Sequence, residues 1–179
     1  KTAKCTITVK NPTTKLDKTK STIYVGTTLQ LKATVKGKSS QVSWKSSNSK
    51  IATVDSKGRV VAKKAGKVTI TAKAGDKTAT CEVTVKPVPV SGIVLDKASV
   101  ELLEGESTTL KATVSPDNAT DKTVTWSTSD ASIATVDNNG VVKAIKVGKV
   151  TITAKAGDKT ATCEVTVKPV PVSGIVLDK

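Results

Sequence analysis

Residues 67–97 and 149–179 carry the same 31 letters, KVTITAKAGDKTATCEVTVKPVPVSGIVLDK, displaced by 82 positions. Identity at that spacing marks duplication of one folding unit, so the fold must close within about 80 residues and tolerate repetition. Fragments of the same pattern stand at both ends. AKCTITVK (3–10) resembles ATCEVTVK (79–86), and PVPVSGIVLDK (169–179) matches 87–97. The expected organisation is therefore a window of a longer array. Residues 1–10 read as the last strand of a preceding repeat, 11–86 as a first complete repeat and 87–168 as a second. Residues 169–179 read as a linker and the first strand of a following repeat.

The side chains available for a core are restricted. Phe and Met are absent, and Trp44, Trp126 and Tyr24 are the only aromatic residues. Val, Ile, Leu and Ala must fill the interior, and the abundance of Val and Thr favours strands. Apolar residues alternate with polar ones at Leu29, Leu31, Ala33 and Val35, at Val42 and Trp44, and at Val68, Ile70 and Ala72. The second copy repeats this at Leu110, Ala112 and Val114, at Val124 and Trp126, and at Val150, Ile152 and Ala154. Such period-two runs predict half-buried strands. Gly75-Asp76 and Gly157-Asp158 sit between two runs and predict tight hairpins, while 55–58 and 137–140 predict turns closed by glycine. About seven short strands per repeat, with one Trp on an early strand, predict a two-sheet antiparallel sandwich. The fold class expected is all-β, with tandem sandwiches.

The copies align with one break. From Leu16 to Val35 the offset is 79, and from Trp44 onward it is 82. The difference falls in one loop, where KGKSSQ (36–41) becomes SPDNATDKT (115–123). Length variation confined to a loop leaves a framework intact. The joint at 86–95 contains two prolines, which predict a stiff, extended connector.

Cys5, Cys81 and Cys163 occupy one position of the repeat, within a Cys-x-Ile/Val-Thr-Val strand. Alternation places the thiol on the apolar face, as a small hydrophobe. Spacings of 76 and 82 match no zinc-ligand pattern, and one thiol per unit leaves no partner inside the unit. No catalytic, cofactor-binding or metal-ligating residue is assigned, and no cofactor is expected. His is absent, which removes the commonest general base, and no nucleophile elbow or phosphate loop is present. The oxygen-rich turns Asp117–Asp121 and 137–139 are candidate calcium ligands, with ordinary Asx turns as the simpler reading. Tyr24 is the one candidate aromatic for a glycan surface, since alternation puts Trp44 and Trp126 on the core side.

The chain carries 29 basic and 15 acidic residues, a formal net charge of +14, and every basic residue except Arg59 is Lys. Scattered lysines without aromatic platforms or a recognition helix argue against nucleic acid as a partner. They suit protection of strand edges, or attraction to an anionic surface. No apolar run approaches the ~20 residues that a membrane-spanning helix needs.

The string IATVDxxGxVxAxxxGKVTITAKAG stands at 51–75 and 133–157, preceded in each copy by a Gly, a Leu-Lys-Ala-Thr-Val run and a Val-x-Trp. This pattern resembles the bacterial immunoglobulin-like domain group 2. Gly26, Leu31, Val35, Trp44, Gly58, Val60, Ala62, Gly66, Ile70 and Ala72 carry the resemblance in the first copy, and their counterparts carry it in the second. It implies Ig-like sandwiches used as repeated modules of bacterial and phage surface proteins, and its matched residues are framework ones. The function expected is a non-catalytic spacer or stalk segment, extracellular or at the bacterial surface, that supports adhesion or display of another module. Two alternatives stand beside it: a binding module for an anionic cell-wall or host glycan, and a phage virion appendage assembling through its partial end repeats. Expected partners are neighbouring repeats and surface glycans.

Overall fold

A computed structural model describes residues 13–37 and 41–171. Cys5, the segment read as a preceding strand and residues 172–179 lie outside them. The chain divides into two compact units between Val88 and Pro89. Both are built from strands, as the alternation predicts, and each shows nine strands among the described residues rather than about seven.

In unit 1 these are β1 (Thr13–Leu16), β2 (Lys20–Tyr24), β3 (Thr28–Gln30), β4 (Ala33–Lys36), β5 (Ser43–Ser46), β6 (Ala52–Val54), β7 (Arg59–Ala62), β8 (Gly66–Ala74) and β9 (Lys77–Lys86). Unit 2 repeats them as β10 (Gly92–Leu95), β11 (Ser99–Leu103), β12 (Ser107–Thr109), β13 (Ala112–Ser115), β14 (Thr125–Thr128), β15 (Ala134–Val136), β16 (Val141–Ala144), β17 (Gly148–Ala156) and β18 (Lys159–Lys168). A four-stranded sheet, β2-β9-β8-β5, packs against a three-stranded one, β3-β7-β6, with β1 and β4 as a separate pair. Unit 2 has the same order, β11-β18-β17-β14 with β12-β16-β15 and the pair β10-β13. All pairings are antiparallel except one per unit. β2 runs parallel to β9, and β11 parallel to β18.

The longest strands are where alternation is cleanest. In β8 the apolar Val68, Ile70, Ala72 and Ala74 point inward, and in β9 Cys81, Val83 and Val85 do so. A two-residue loop joins them. Gly75 has φ +60, Asp76 does not enter the positive region, and Gly at the first central position is what a type II′ hairpin requires. The core of unit 1 gathers Ile23, Leu31, Ala52, Val60, Ile70, Cys81 and Val83 from both sheets, and no buried polar or charged residue is recorded among the described residues. Burial of such aliphatic side chains contributes roughly 1.5–3 kcal/mol each.

The run Leu29–Val35, predicted as one strand, is two. It breaks at Leu31-Lys32 and moves from the three-stranded sheet to the β1-β4 pair. The break is satisfied on every side. Leu31 N–H donates to Gly58 O at 3.0 Å, Lys32 N–H donates to Asp17 Oδ1 at 2.8 Å, and Asp17 N–H donates to Lys32 O at 3.0 Å. Unit 2 makes the same latch with Leu110, Gly140, Lys111 and Asp96. The crossing lets Leu31 bury fully while Val35 still faces the interior side of β4.

Candidate functional site

Beside that kink each unit has an open groove. In unit 1 it is bounded by the kink (Gln30–Ala33), the end of β5 and the β6–β7 turn, with a volume of about 370 Å³. A second stretch of about 620 Å³ continues past Trp44 to Lys73 and Gly75, sharing Val42, Trp44 and Ser56 with the first. Unit 2 places a groove of about 560 Å³ between Thr109–Thr113, Val124, Trp126 and Asn138-Asn139.

The indole of Trp44 forms the centre of this groove. Sequence alternation put Trp44 and Trp126 on the core side, and the expectation was burial. Both are only half-buried: each packs against its core while remaining part of the groove wall. The reason is the turn beneath. A Cβ on Gly58, at φ +78, would stand 2.6 Å from Leu31 O and 2.6 Å from Trp44 Cζ2. Gly140 is equally tight, at 2.5 Å from Leu110 O and 2.8 Å from Trp126 Cζ2. The ring edge therefore rests on backbone, with no room to sink further.

The turn is held by an aspartate. Asp55 Oδ1 accepts from the amides of Lys57 and Arg59, both at 2.9 Å, and Asp137 Oδ1 accepts from Asn139 and Val141, both at 2.8 Å. The Arg59 amide, then that of Lys57, hold the Asp55 carboxyl below the usual range. The Val141 amide does the same for Asp137. These oxygens serve the turn, so the candidate calcium cluster at 137–139 is an Asx turn. In the other candidate cluster, Asp121 Oδ1 accepts from the Thr123 amide at 2.9 Å, and the Lys122 ammonium donates to Asp117 O at 3.0 Å. A lysine ammonium bonded within the same turn disfavours a dication. Among the described residues, no group of three or more Cys, Asp and Glu side chains could hold a metal.

The other expected positions fall apart from the groove. Cys81 and Cys163 are fully buried, and burial pushes both thiols up, with Asp17 and Asp96 adding to it. Tyr24 is about half exposed on β2, and its counterpart is Leu103. Asp17 and Asp96 sit in a Leu-Asp-Lys triplet that both copies share, at 16–18 and 95–97. Their role in the kink has no local sequence signal, because the partner amide lies 15 residues on.

The sequence profile of the bacterial Ig-like domain (group 2) matches residues 8–85 and 89–167. The chain belongs to this family. Among individual relatives, a 3-O-alpha-D-galactosyl-alpha-L-arabinofuranosidase of Bifidobacterium longum subsp. longum is 49% identical over 40% of this chain and 6% of its own length. An Ig-like virion protein of Serratia phage KSP90 is 43% identical over 48% of this chain and 34% of its own. Each match covers less than half of this chain, and well under two thirds of the relative's own length. Of solved structures, surface layer protein SbsC, domains 1–6, aligns with 82% of this chain and 24% of its own, at 27% identity and a TM-score of 0.47. No helix among the described residues is long and apolar enough to cross a membrane.

Proposed function

We propose that this pair of Ig-like domains is a non-catalytic, load-bearing spacer in a protein displayed outside the bacterial cell, holding another module at a set distance. One observation carries the reading. In each unit the chain begins the main sheet on β2 and leaves on β9, and the two are parallel, with Lys20 opposite Glu82 and Tyr24 opposite Lys86. Tension on the two ends then loads the whole β2-β9 ladder at once, in shear. Flanking bonds, Glu82 N–H to Thr19 O at 2.8 Å and Val25 N–H to Lys86 O at 2.9 Å, lengthen the ladder at both ends. Unit 2 has the same arrangement and adds a Lys168–Glu101 ion pair across it at 2.6 Å. The family's presence in proteins of unrelated names agrees with a module whose own role is structural.

Single-molecule pulling tests this. Handles at Thr19 and Lys86 shear the ladder, whereas handles at Tyr24 and Lys86, neighbours at one end, open it bond by bond. The shear geometry is expected to require several times the force. Equal forces in both geometries would remove the basis for a load-bearing role. The phage virion relative supports a second reading, an appendage subunit of a virion. That reading expects concentration-dependent assembly that stops when residues 1–10 and 169–179 are trimmed.

A further inference from the structure

We propose that the groove crossing Trp44 binds an acidic polysaccharide chain, and that the Trp126 groove is a second copy of the same site. The groove is a shallow open channel, the form that admits a polymer strand at any point along its length. An indole face suits the apolar face of a sugar ring, and polar groups beside it fix orientation. In unit 1 these are the Gln30 and Gln41 amides and the Ser56 hydroxyl. Gln30 is already oriented, its Nε2 donating to Leu31 O at 2.9 Å and to Lys57 O at 2.8 Å.

Charge selects the class of glycan. Lys32 and Lys57 line one end of the channel and Lys73 the other, all exposed. The one carboxylate in the wall, Asp55, is occupied by two backbone amides and the Arg59 guanidinium at 3.3 Å. The channel thus presents uncompensated positive charge on both sides of an aromatic platform, in a chain of net charge +14. In unit 2, Lys111 keeps the position of Lys32, and Asn138 and Asn139 replace Ser56 and Lys57. Thr109 stands where unit 1 has Gln30, so the second site has a different polar set and less charge, and is the weaker of the two. Two sites on one chain bind one polymer with avidity, provided the polymer reaches both. This inference is independent of the spacer role, which stands or falls by the pulling experiment.

Trp44 and Trp126 are the only tryptophans, so their emission reads the grooves directly. The two-unit chain is titrated with polygalacturonate, and in parallel with its fully methyl-esterified form, which has the same backbone without charge. Polygalacturonate is expected to shift the emission saturably, reversed by about 0.5 M salt. The ester is expected to bind at least tenfold more weakly. Replacing Lys32, Lys57 and Lys73 by Ala, all exposed and outside the core, is expected to weaken binding roughly tenfold. A matched triple, Lys20→Ala, Lys67→Ala and Lys86→Ala, removes equal charge from positions on β2, β8 and β9 that do not line the groove, and is expected to change it less than about twofold. Equal losses from both triples would mean diffuse attraction to a basic protein and would overturn the site. So would unchanged emission up to the solubility limit of the polymer, or equal binding of the neutral ester.

Discussion

Thr14 provides a direct test of how the two units differ inside. It stands on β1 opposite Val35, where unit 2 has Ile93 opposite Val114. Ile93 is the hub of an additional apolar cluster with Val114, Ala154, Ala156 and, at its margin, Val90 and Leu95. Thr14 brings a hydroxyl to that place, and its Oγ1 is buried without a hydrogen-bond partner. An orphan hydroxyl costs about 1–3 kcal/mol, and each added buried CH₂ contributes about 0.8 kcal/mol. Thr14→Val is therefore expected to stabilise unit 1 by about 1–2 kcal/mol and Thr14→Ile by about 2 kcal/mol, near 4–8 °C in melting temperature per kcal/mol for a unit of this size. Ile93→Thr is expected to cost unit 2 a similar amount. One tryptophan per unit makes the assay selective. In a Trp126→Phe background, urea unfolding followed at Trp44 reports unit 1, and Trp44→Phe reports unit 2. A midpoint shift at constant m value measures the change. If Thr14→Val and Thr14→Ile both leave the Trp44 midpoint unmoved or lower it, the accounting for this position is wrong.

Other outcomes follow from the same geometry. Gly58→Ala and Gly140→Ala force a side chain into positive φ and against Leu31 O or Leu110 O, and each is expected to lower its own unit's stability by about 2–4 kcal/mol in the urea assay. Asp55 and Asp137 have folded carboxyls held below their ordinary values, so their contribution is complete above the unfolded pKa and is lost as pH falls through the folded one. Urea midpoints are expected to fall from roughly pH 5 downward, and Asp137→Asn is expected to flatten that fall for unit 2 alone. Cys81 and Cys163, buried with raised thiol pKa, are expected to resist a disulfide reagent in the native chain and to react at the rate of unit opening. Rapid labelling of the native protein would contradict the burial.

What the sequence reveals follows the range of each interaction. Alternation in β8 and β9, the Gly75-Asp76 hairpin and the buried thiols depend on neighbours two residues away or a short turn, and they stand as the letters imply. The break at Leu31-Lys32 does not show, because apolar alternation runs through it while its cause, Asp17, is distant in the chain. The parallel β2-β9 pairing is similarly hidden, since Ile23 and Val85 meet across some sixty residues. The groove was missed for a third reason. Periodicity gives the side of the strand on which Trp44 sits, not how deep it goes, and depth is set by the Gly58 turn beneath the ring.

The self-sufficiency of each unit has a consequence for heredity. A sandwich that closes its own core and leaves on β9 parallel to where β2 began can be gained or lost whole. The identical stretches 67–97 and 149–179 offer recombination a place to misalign. Unequal exchange there deletes or adds 82 residues, one complete folding unit, with the strand order of every survivor unchanged. An array of such units can therefore change its copy number in whole steps, each product keeping complete sandwiches.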